Sequence, residues 1–317
     1  AAASMSHVAW DGFAHHDTIF PLFLFIAGVS FPYSVAKQRA GGMSEGRIYA
    51  KIVRRGLTLV VLGMVYNGLF KLDFENLRIA SVLGRIGLAW SIAAVLYLNF
   101  GVKTRAAIAV AVLAGYGALS ALVAAPDAAG AGPLTFEGNL AGYIDRQFLP
   151  GKLIYGSFDP EGLLSTVPAV VTAMLGMFTG EFVRRGDIRG GRKTLWMAAA
   201  AAALLAAGLA FSGVLPVNKK LWSSTFVCVV GAYSLGMFAL FYYLIDVRGW
   251  RRWTLFFRVV GLNSITIYLA QRIVGFGRIS DFFLGGIASK CPEAVAVRVM
   301  WPSAGCFSTS FTERTFF

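Results

Sequence analysis

Charge is scarce in this chain. Only 14% of its 317 residues are Asp, Glu, Lys or Arg, against roughly 25% in an ordinary soluble domain. With 57% hydrophobic residues and a mean hydropathy of +0.65, it carries more apolar surface than a water-soluble core can absorb, which excludes a soluble globule. Cysteine is equally sparse. Cys228, Cys291 and Cys306 form no CxxC pair, and Cys228 lies inside an apolar run, so neither a disulfide framework nor a zinc site is expected. No Ser/Pro-rich or charge-rich linker divides the chain, so 1–317 reads as one membrane-embedded domain. A Gly-rich phosphate loop, a GxSxG elbow, an HExxH pair and glycosidase-like paired carboxylates are all missing. So are a 20–50-residue repeat and the inverted pair of broken helices that marks many transporters.

What the chain has in abundance is long apolar runs. Segments able to cross about 30 Å of hydrocarbon as helix fall at 18–36, 53–70, 79–100, 106–125, 162–183, 194–215, 221–245 and 254–273. Lipid cannot satisfy open backbone groups, so the expected fold is all-α, a polytopic transmembrane helix bundle of about eight spans. The second span is short before its basic flank, and the last carries polar residues. The Ala-rich run at 198–207 suits close helix packing.

The net charge of +13 does not point to nucleic acid, because Lys and Arg are confined to short gaps between apolar runs. Those gaps alternate. Lys37, Arg39, Arg47, Lys51, Arg54 and Arg55 fill the first, Lys103 and Arg105 the third, and Arg184, Arg185, Arg189, Arg192 and Lys193 the fifth. Arg248, Arg251 and Arg252 fill the seventh, while the gaps between these are neutral or acidic. The positive-inside rule therefore makes the basic gaps cytoplasmic and places 6–17, 71–78, 126–160 and 216–220 on the other side. Lys219-Lys220 is the partial exception, open to either a local function or snorkelling. The extracytoplasmic loop 126–160 is too long for a mere connection.

Candidate chemistry gathers on that outer side. His7 is neutral near pH 7 and able to accept a proton from an amine or hydroxyl. Trp10 can offer a stacking face to a sugar at the interface. The alternative for both is anchoring of a frayed terminus. His15-His16 is a poor metal pair, since adjacent side chains diverge on a helix and no third ligand is near. Asp17, Arg85, Asp159, Glu161, Arg258, Asn263 and Gln271 are polar groups at or inside span ends, where each costs about 2.5–3.5 kcal/mol if left unpaired at midplane. They should face one another or a wet cavity. Arg85 enters its span by about seven residues, roughly 10 Å, a depth at which Asp159 or Glu161 can meet it. That meeting serves a site or simply staples two helices.

Several stretches, in order, resemble the heparan-α-glucosaminide N-acetyltransferase family. They are His7-x-x-Trp10-x-Gly12, Asp17-x-Ile19-Phe20-Pro21, Phe23-Leu24-Phe25-Ile26-x-Gly28 and Arg78-Ile79-x-x-Val82-Leu83-x-Arg85. Gly142-Tyr143-Ile144-Asp145-Arg146, Asp159-Pro160-Glu161-Gly162-Leu163, Pro216-Val217-Asn218-Lys219-x-Leu221-Trp222 and Gly261-x-Asn263-Ser264 follow. The resemblance implies an integral-membrane acyltransferase that moves acetyl from cytosolic acetyl-CoA to the amine of a glucosamine-type sugar on the far side, without a metal. By it, His7 is the catalytic residue. Trp10, Asp17, Arg85, Asp145, Arg146, Asp159, Glu161, Asn218, Lys219, Trp222 and Asn263 are the expected substrate-binding residues. Arg54, Arg55, Arg184 and Arg185 are candidates for the CoA phosphates, although topology alone also accounts for them. The expected partners are the lipid bilayer and an amino-sugar or glycan acceptor, with a homo-oligomer left open. The expected setting is a bacterial inner membrane. Against the family pattern, the first and last helices are expected to be missing or altered: the chain opens Ala1-Ala2-Ala3-Ser4, and 291–317 reads as an aberrant, frameshifted tail. O-acyl transfer to a cell-envelope glycan, and sugar or polysaccharide transport without catalysis, are the competing functions.

Overall fold

The computed structural model describes residues 8–273, apart from the side chains of 260 and 271–273. His7, the Gln271 side chain, Cys291, Cys306 and the 291–317 tail lie outside them. Two units are distinguished, one made of residues 6–250 and the other containing the chain from Arg251 onward.

In the first unit, a 3₁₀ turn at His15–Thr18 leads into α1 (Ile19–Ala40), and α2 (Glu45–Tyr66) returns. Then come α3 (Val82–Asn99), α4 (Val102–Leu122), the short α5 (Leu140–Phe148) inside the long loop, α6 (Leu163–Arg184), α7 (Gly190–Ala210) and α8 (Ser224–Tyr242). A π turn at Tyr243–Val247 closes it. Among the described residues there is no strand, only isolated bridges pairing Arg78 with Gly151 and Ala124 with Asn139.

Among the described residues, six helical segments are long and apolar enough to cross a membrane: 15–40, 82–99, 102–122, 163–184, 190–210 and 224–247. The protein is a polytopic helical membrane protein. Helix α2 corresponds to the span expected at 53–70, but it starts at Glu45 and carries Arg47, Lys51, Arg54 and Arg55 in its first half. The segment 254–273 is not one continuous span: in the second unit it forms α9 (Thr254–Leu262) and α10 (Ser264–Ile273), broken at Asn263.

Helix pairing in the first unit follows the small residues. Between helices that both prefer apolar surroundings, close van der Waals packing is the main attraction, and small side chains allow it. In α6, Gly176-Met177-Phe178-Thr179-Gly180 has the GxxxG spacing, and α1 presses on it. A Cβ at Gly176 would stand 2.0 Å from the Phe25 carbonyl, and one at Gly28 would stand 2.2 Å from that of Ala173. Gly56 and Gly63 likewise seat α2 on α3, against Ser91 and Ser81. Around these seams lies the apolar core: Leu24, Phe31 and Val35 of α1, Trp90 of α3, Val171, Met174 and Met177 of α6, and Phe226 and Val230 of α8.

Polar contacts show which helix ends share a side. Arg105, at the start of α4, pairs with Glu181 near the end of α6 at 2.7 Å. An Arg184 guanidinium N–H donates to the Pro32 carbonyl in the second half of α1 at 3.0 Å. The first, third and fifth basic gaps therefore sit at one end of this bundle, and the loop 126–160 with the turn 216–223 sits at the other.

A candidate polar site at the loop-bearing end

Four stretches converge at this end: the N-terminal segment from Val8 to Thr18, the approach to α3, the loop leading into α6, and the turn before α8. The first is tied to the last. The Gly12 N–H donates to the Val217 carbonyl at 2.8 Å, and Asn218 Nδ2 donates to Asp11 Oδ1 at 3.0 Å. Asn218 is fully buried and its Oδ1 accepts the Leu221 N–H at 2.9 Å, so one amide organises its own turn and holds the N-terminal segment. Lys219 Nζ stands 3.1 Å from Oδ1 of the buried Asp17, whose Oδ2 accepts the Ala14 N–H. This gives the anomalous Lys219 a charge partner. Lys220 Nζ lies 4.5 Å over the Tyr155 ring and 6.0 Å from the Trp10 ring, a cation–π setting.

Trp10 is half-buried. Its Nε1 donates to the Leu134 carbonyl at 2.9 Å, and its ring meets Phe136 and Phe158 edge to face. Trp222 is buried within the bundle, packed against Phe20 and Phe226, and its Nε1 donates to Thr172 Oγ1 at 3.3 Å. Its φ of 52° is left-handed, an uncommon conformation for a bulky residue and one that its surroundings must hold.

The charged centre sits where α3 and α6 begin. Arg78 grips the fully buried Asp159 with a two-pronged fork, Nε to Oδ2 at 2.7 Å and Nη2 to Oδ1 at 2.6 Å, and also pairs with Glu161. Burial alone would lower the Arg78 value, but the two acids outweigh it and hold it above the ordinary guanidinium value. Burial likewise works to raise Glu161, and the positive charges of Arg78 and Arg85 bring it below the usual carboxylate range. The backbone N–H groups of Ile154 and Glu161 also donate to Asp159, so the carboxylate shapes the loop around itself.

Arg85, 2% exposed, does not ion-pair with these acids. Its Nη2 donates to the Pro160 carbonyl, to Ser165 Oγ and, at 3.5 Å, to the Gly162 carbonyl, and its guanidinium lies 5.0 Å over the Trp222 ring. The expected meeting of Arg85 with Asp159 or Glu161 is thus corrected. Arg78, seven residues earlier on the loop, reaches the carboxylates first, and Arg85, deeper in the helix, takes the backbone between them.

Asp145, on α5, accepts the Leu163 N–H at 2.9 Å and so holds one of the open N–H groups at the start of α6. Its other oxygen is pressed against Gly162, where a Cβ would stand 1.9 Å away. Burial is the main cause pushing this carboxyl from 3.8 up to about 7, helped by the Asp159 charge and opposed by the Leu163 N–H and the Arg85 charge. Arg146 forks onto Asp127 at 2.7–2.9 Å and donates to the Ser157 carbonyl at 2.6 Å, closing the loop.

Thus Trp10, Asp17, Arg85, Asp145, Asp159, Glu161, Asn218, Lys219 and Trp222 share this end, with Arg146 bracing the loop. Asn263 lies in the other unit, where its Nδ2 donates to the Val259 carbonyl at 2.9 Å. Arg78, Asp11, Ser165 and Thr172 belong to the cluster but were not foreseen as site residues. Of these, Arg78 carried a signal, as the first residue of the Arg78-Ile79-x-x-Val82-Leu83-x-Arg85 stretch.

At the basic end, Arg55 lies 4.5 Å over the Trp90 ring, Arg184 keeps part of its fork beyond the Pro32 carbonyl, and Arg185 pairs with Asp187 at 2.6 Å. Arg54 is exposed on the α2 surface.

A multi-pass helical bundle with a built, charged cluster at one end defines a membrane-embedded polar-site protein. Residues 1–213 match the model of the family described as heparan-alpha-glucosaminide N-acetyltransferase, catalytic, and the chain belongs to that family. It is 28% identical to heparan-alpha-glucosaminide N-acetyltransferase of Homo sapiens over 84% of this chain and 48% of the relative. It is 26% identical to the protein of the same name from Mus musculus, over 84% and 49%. The chain spans about half the length of these curated relatives.

Proposed function

We propose that this chain is the membrane core of an acetyltransferase that moves acetyl from cytosolic acetyl-CoA to the amine of a glucosamine-type sugar across the bilayer. Family membership supports the reaction class. The observation that carries the reading is the gathering of charge from separate segments, buried at Asp17, Arg85 and Asp159 and half-buried at Arg78, Glu161 and Lys219, at the end opposite the basic gaps. Burying charge is expensive, and a bundle held by small-residue seams has no structural need of so much of it. The positive-inside rule makes the basic end cytosolic, which puts the cluster on the acceptor's side.

An amine attacks a thioester only when unprotonated, so a base beside it helps. His7 is our candidate for that base, by its place in the His7-x-x-Trp10-x-Gly12 motif. The Asp11–Asn218 and Gly12–Val217 bonds anchor the residues that follow it. A covalent acetyl-imidazole on the same residue is the two-step variant. Trp10, Asp17, Asn218 and Lys219 would orient the sugar, while Asp145 and Arg146 shape the wall formed by the loop. Trp222 would act from the interior, beneath Arg85. Acetyl-CoA supplies the activated acetyl group. For its phosphates, Arg54, Arg55 and Arg184 offer N–H groups not taken by a carboxylate among the described residues, and the exposed Arg185–Asp187 pair is one that a phosphate can displace.

The test is acetyl transfer from labelled acetyl-CoA to a glucosaminide by the chain reconstituted in lipid vesicles, with His7→Ala beside it. The expected outcome is a hydroxylamine-resistant amide product that the variant does not form. An ester product would redirect the reading to O-acylation. Uptake of the glucosaminide without acetyl-CoA would make the protein a transporter.

A further inference from the structure

Two arginines of the first unit are buried below a tenth of their surface, and they are satisfied differently. Arg105 has a carboxylate, Glu181 at 2.7 Å, and lies over the Tyr97 and Phe178 rings. Arg85 makes no ion pair among the described residues. All its donated hydrogen bonds leave from Nη2; its Nε, like that of Arg105, is buried without an acceptor, but Arg85 has no carboxylate to offset it. A charged donor shut away from water and left unmade is among the costlier arrangements in a protein, and it asks for an explanation.

We propose that the unpartnered Nε–H of Arg85 holds the acetyl carbonyl oxygen of the thioester and carries its negative charge during transfer. The proposal rests on the acetyltransferase reading and assigns Arg85 a catalytic role within it. Three features of the site argue for it. The guanidinium is fixed on both sides, by three acceptors on Nη2 and by the Trp222 face at 5.0 Å, so it is preorganised rather than reorienting during reaction. The positive charges of Arg78 and Arg85 already face the carboxyls of Asp159, Glu161 and Asp145, which disfavours a permanent anion as the missing acceptor. A carbonyl oxygen, neutral at rest and anionic only in passing, suits such a site better than a carboxylate or sulfate. Finally, Arg85 lies one turn inside α3 from its Ser81 cap, between the loop-bearing end and the bundle interior through which a thioester from the basic end must arrive.

In the step itself, the amine nitrogen bonds to the carbonyl carbon while the C=O π pair moves onto oxygen, facing Arg85. The amine proton passes to the His7 imidazole. The oxygen's pair then re-forms C=O, the C–S bond breaks with its electrons on sulfur, and the imidazolium returns its proton to give the CoA thiol and the amide.

Binding tests this without turnover. The probes are the unreactive ketone analogue of acetyl-CoA, in which CH₂ replaces sulfur, and S-ethyl-CoA, which lacks the carbonyl. The wild-type protein should prefer the ketone by about ten- to a hundredfold, the worth of a hydrogen bond to a charged group. Arg85→Lys, which keeps a cation for the Pro160 carbonyl and Ser165, should lose most of that preference while binding S-ethyl-CoA as before. Independently of any variant, the ¹³C=O stretch of the bound ketone should shift to lower frequency than in water. Equal affinities with an unshifted stretch overturn the assignment and leave the acetyltransferase reading standing. Failure of both analogues to bind the wild-type protein overturns both.

Discussion

Asp159→Asn is the most informative single change to the charged centre. The carboxylate is fully buried and accepts four hydrogen bonds: two from Arg78, at 2.7 and 2.6 Å, and one each from the Ile154 and Glu161 N–H groups, at 3.3 and 2.9 Å. Asparagine keeps one acceptor and turns an NH₂ toward donors, so at least one N–H faces another N–H. Breaking a buried pair costs about 3–5 kcal/mol. Arg78 is 19% exposed at its side chain and retains Glu161, which brings the expectation down to about 2–3 kcal/mol. At about 2–4 °C per kcal/mol for a chain of this size, Tm in detergent, followed by tryptophan fluorescence, should fall by roughly 5–10 °C. Asp187→Asn is the matched control, since Arg185 and Asp187 are both more than half exposed, and it should move Tm by less than about 2 °C. Equal shifts for the two variants would refute the view that the loop-bearing end is organised around Asp159.

Gly176→Leu places a side chain where a Cβ alone stands 2.0 Å from the Phe25 carbonyl, so α1 and α6 must part; loss of folded protein in size-exclusion profiles is expected, whereas Gly191→Leu, with open space around it, should fold. Asp145 makes stability depend on pH. Its folded carboxyl titrates near 7 and its unfolded one near 3.8, so between these values the folded chain binds more protons and stability falls as pH rises, levelling off above 7. Asp145→Asn should flatten that slope in melts taken from pH 5 to 8 and melt above wild type at pH 8; an unchanged slope would remove Asp145 as its source. Asn218→Ala removes the link to Asp11 and the bond that holds the turn, and should raise the acceptor KM and speed proteolysis of the N-terminal segment, with acetyl-CoA binding unchanged.

The bundle was legible because lipid demands long apolar helices and loops carry topology in their charge; six of the expected spans correspond to single apolar helices. Helix α2 was clipped in the sequence reading because Arg47, Lys51, Arg54 and Arg55 interrupt hydropathy without interrupting hydrogen bonding. Asn263 breaks the last segment for a local reason that hydropathy does not register. For the site, the neighbourhood was legible and the pairing was not. Asp159 and Glu161 stood out as acids at a span end, but whether Arg78 or Arg85 takes them depends on the path of the loop, in which Gly151 approaches the Leu77 carbonyl with φ 81°. Lys219 looked anomalous until Asp17, 202 residues away in sequence, supplied its charge. Trp222 stood among the expected substrate-binding residues; its burial follows from the left-handed turn that carries it inward.

The central claim, acetyl transfer across the bilayer, is tested most directly by compartment. Sealed vesicles holding the chain would be loaded with a glucosaminide, washed, and given labelled acetyl-CoA outside. The account predicts N-acetylated sugar trapped inside, made by molecules whose basic end faces out and absent with His7→Ala. Product that forms only when the sugar shares the acetyl-CoA compartment would contradict it.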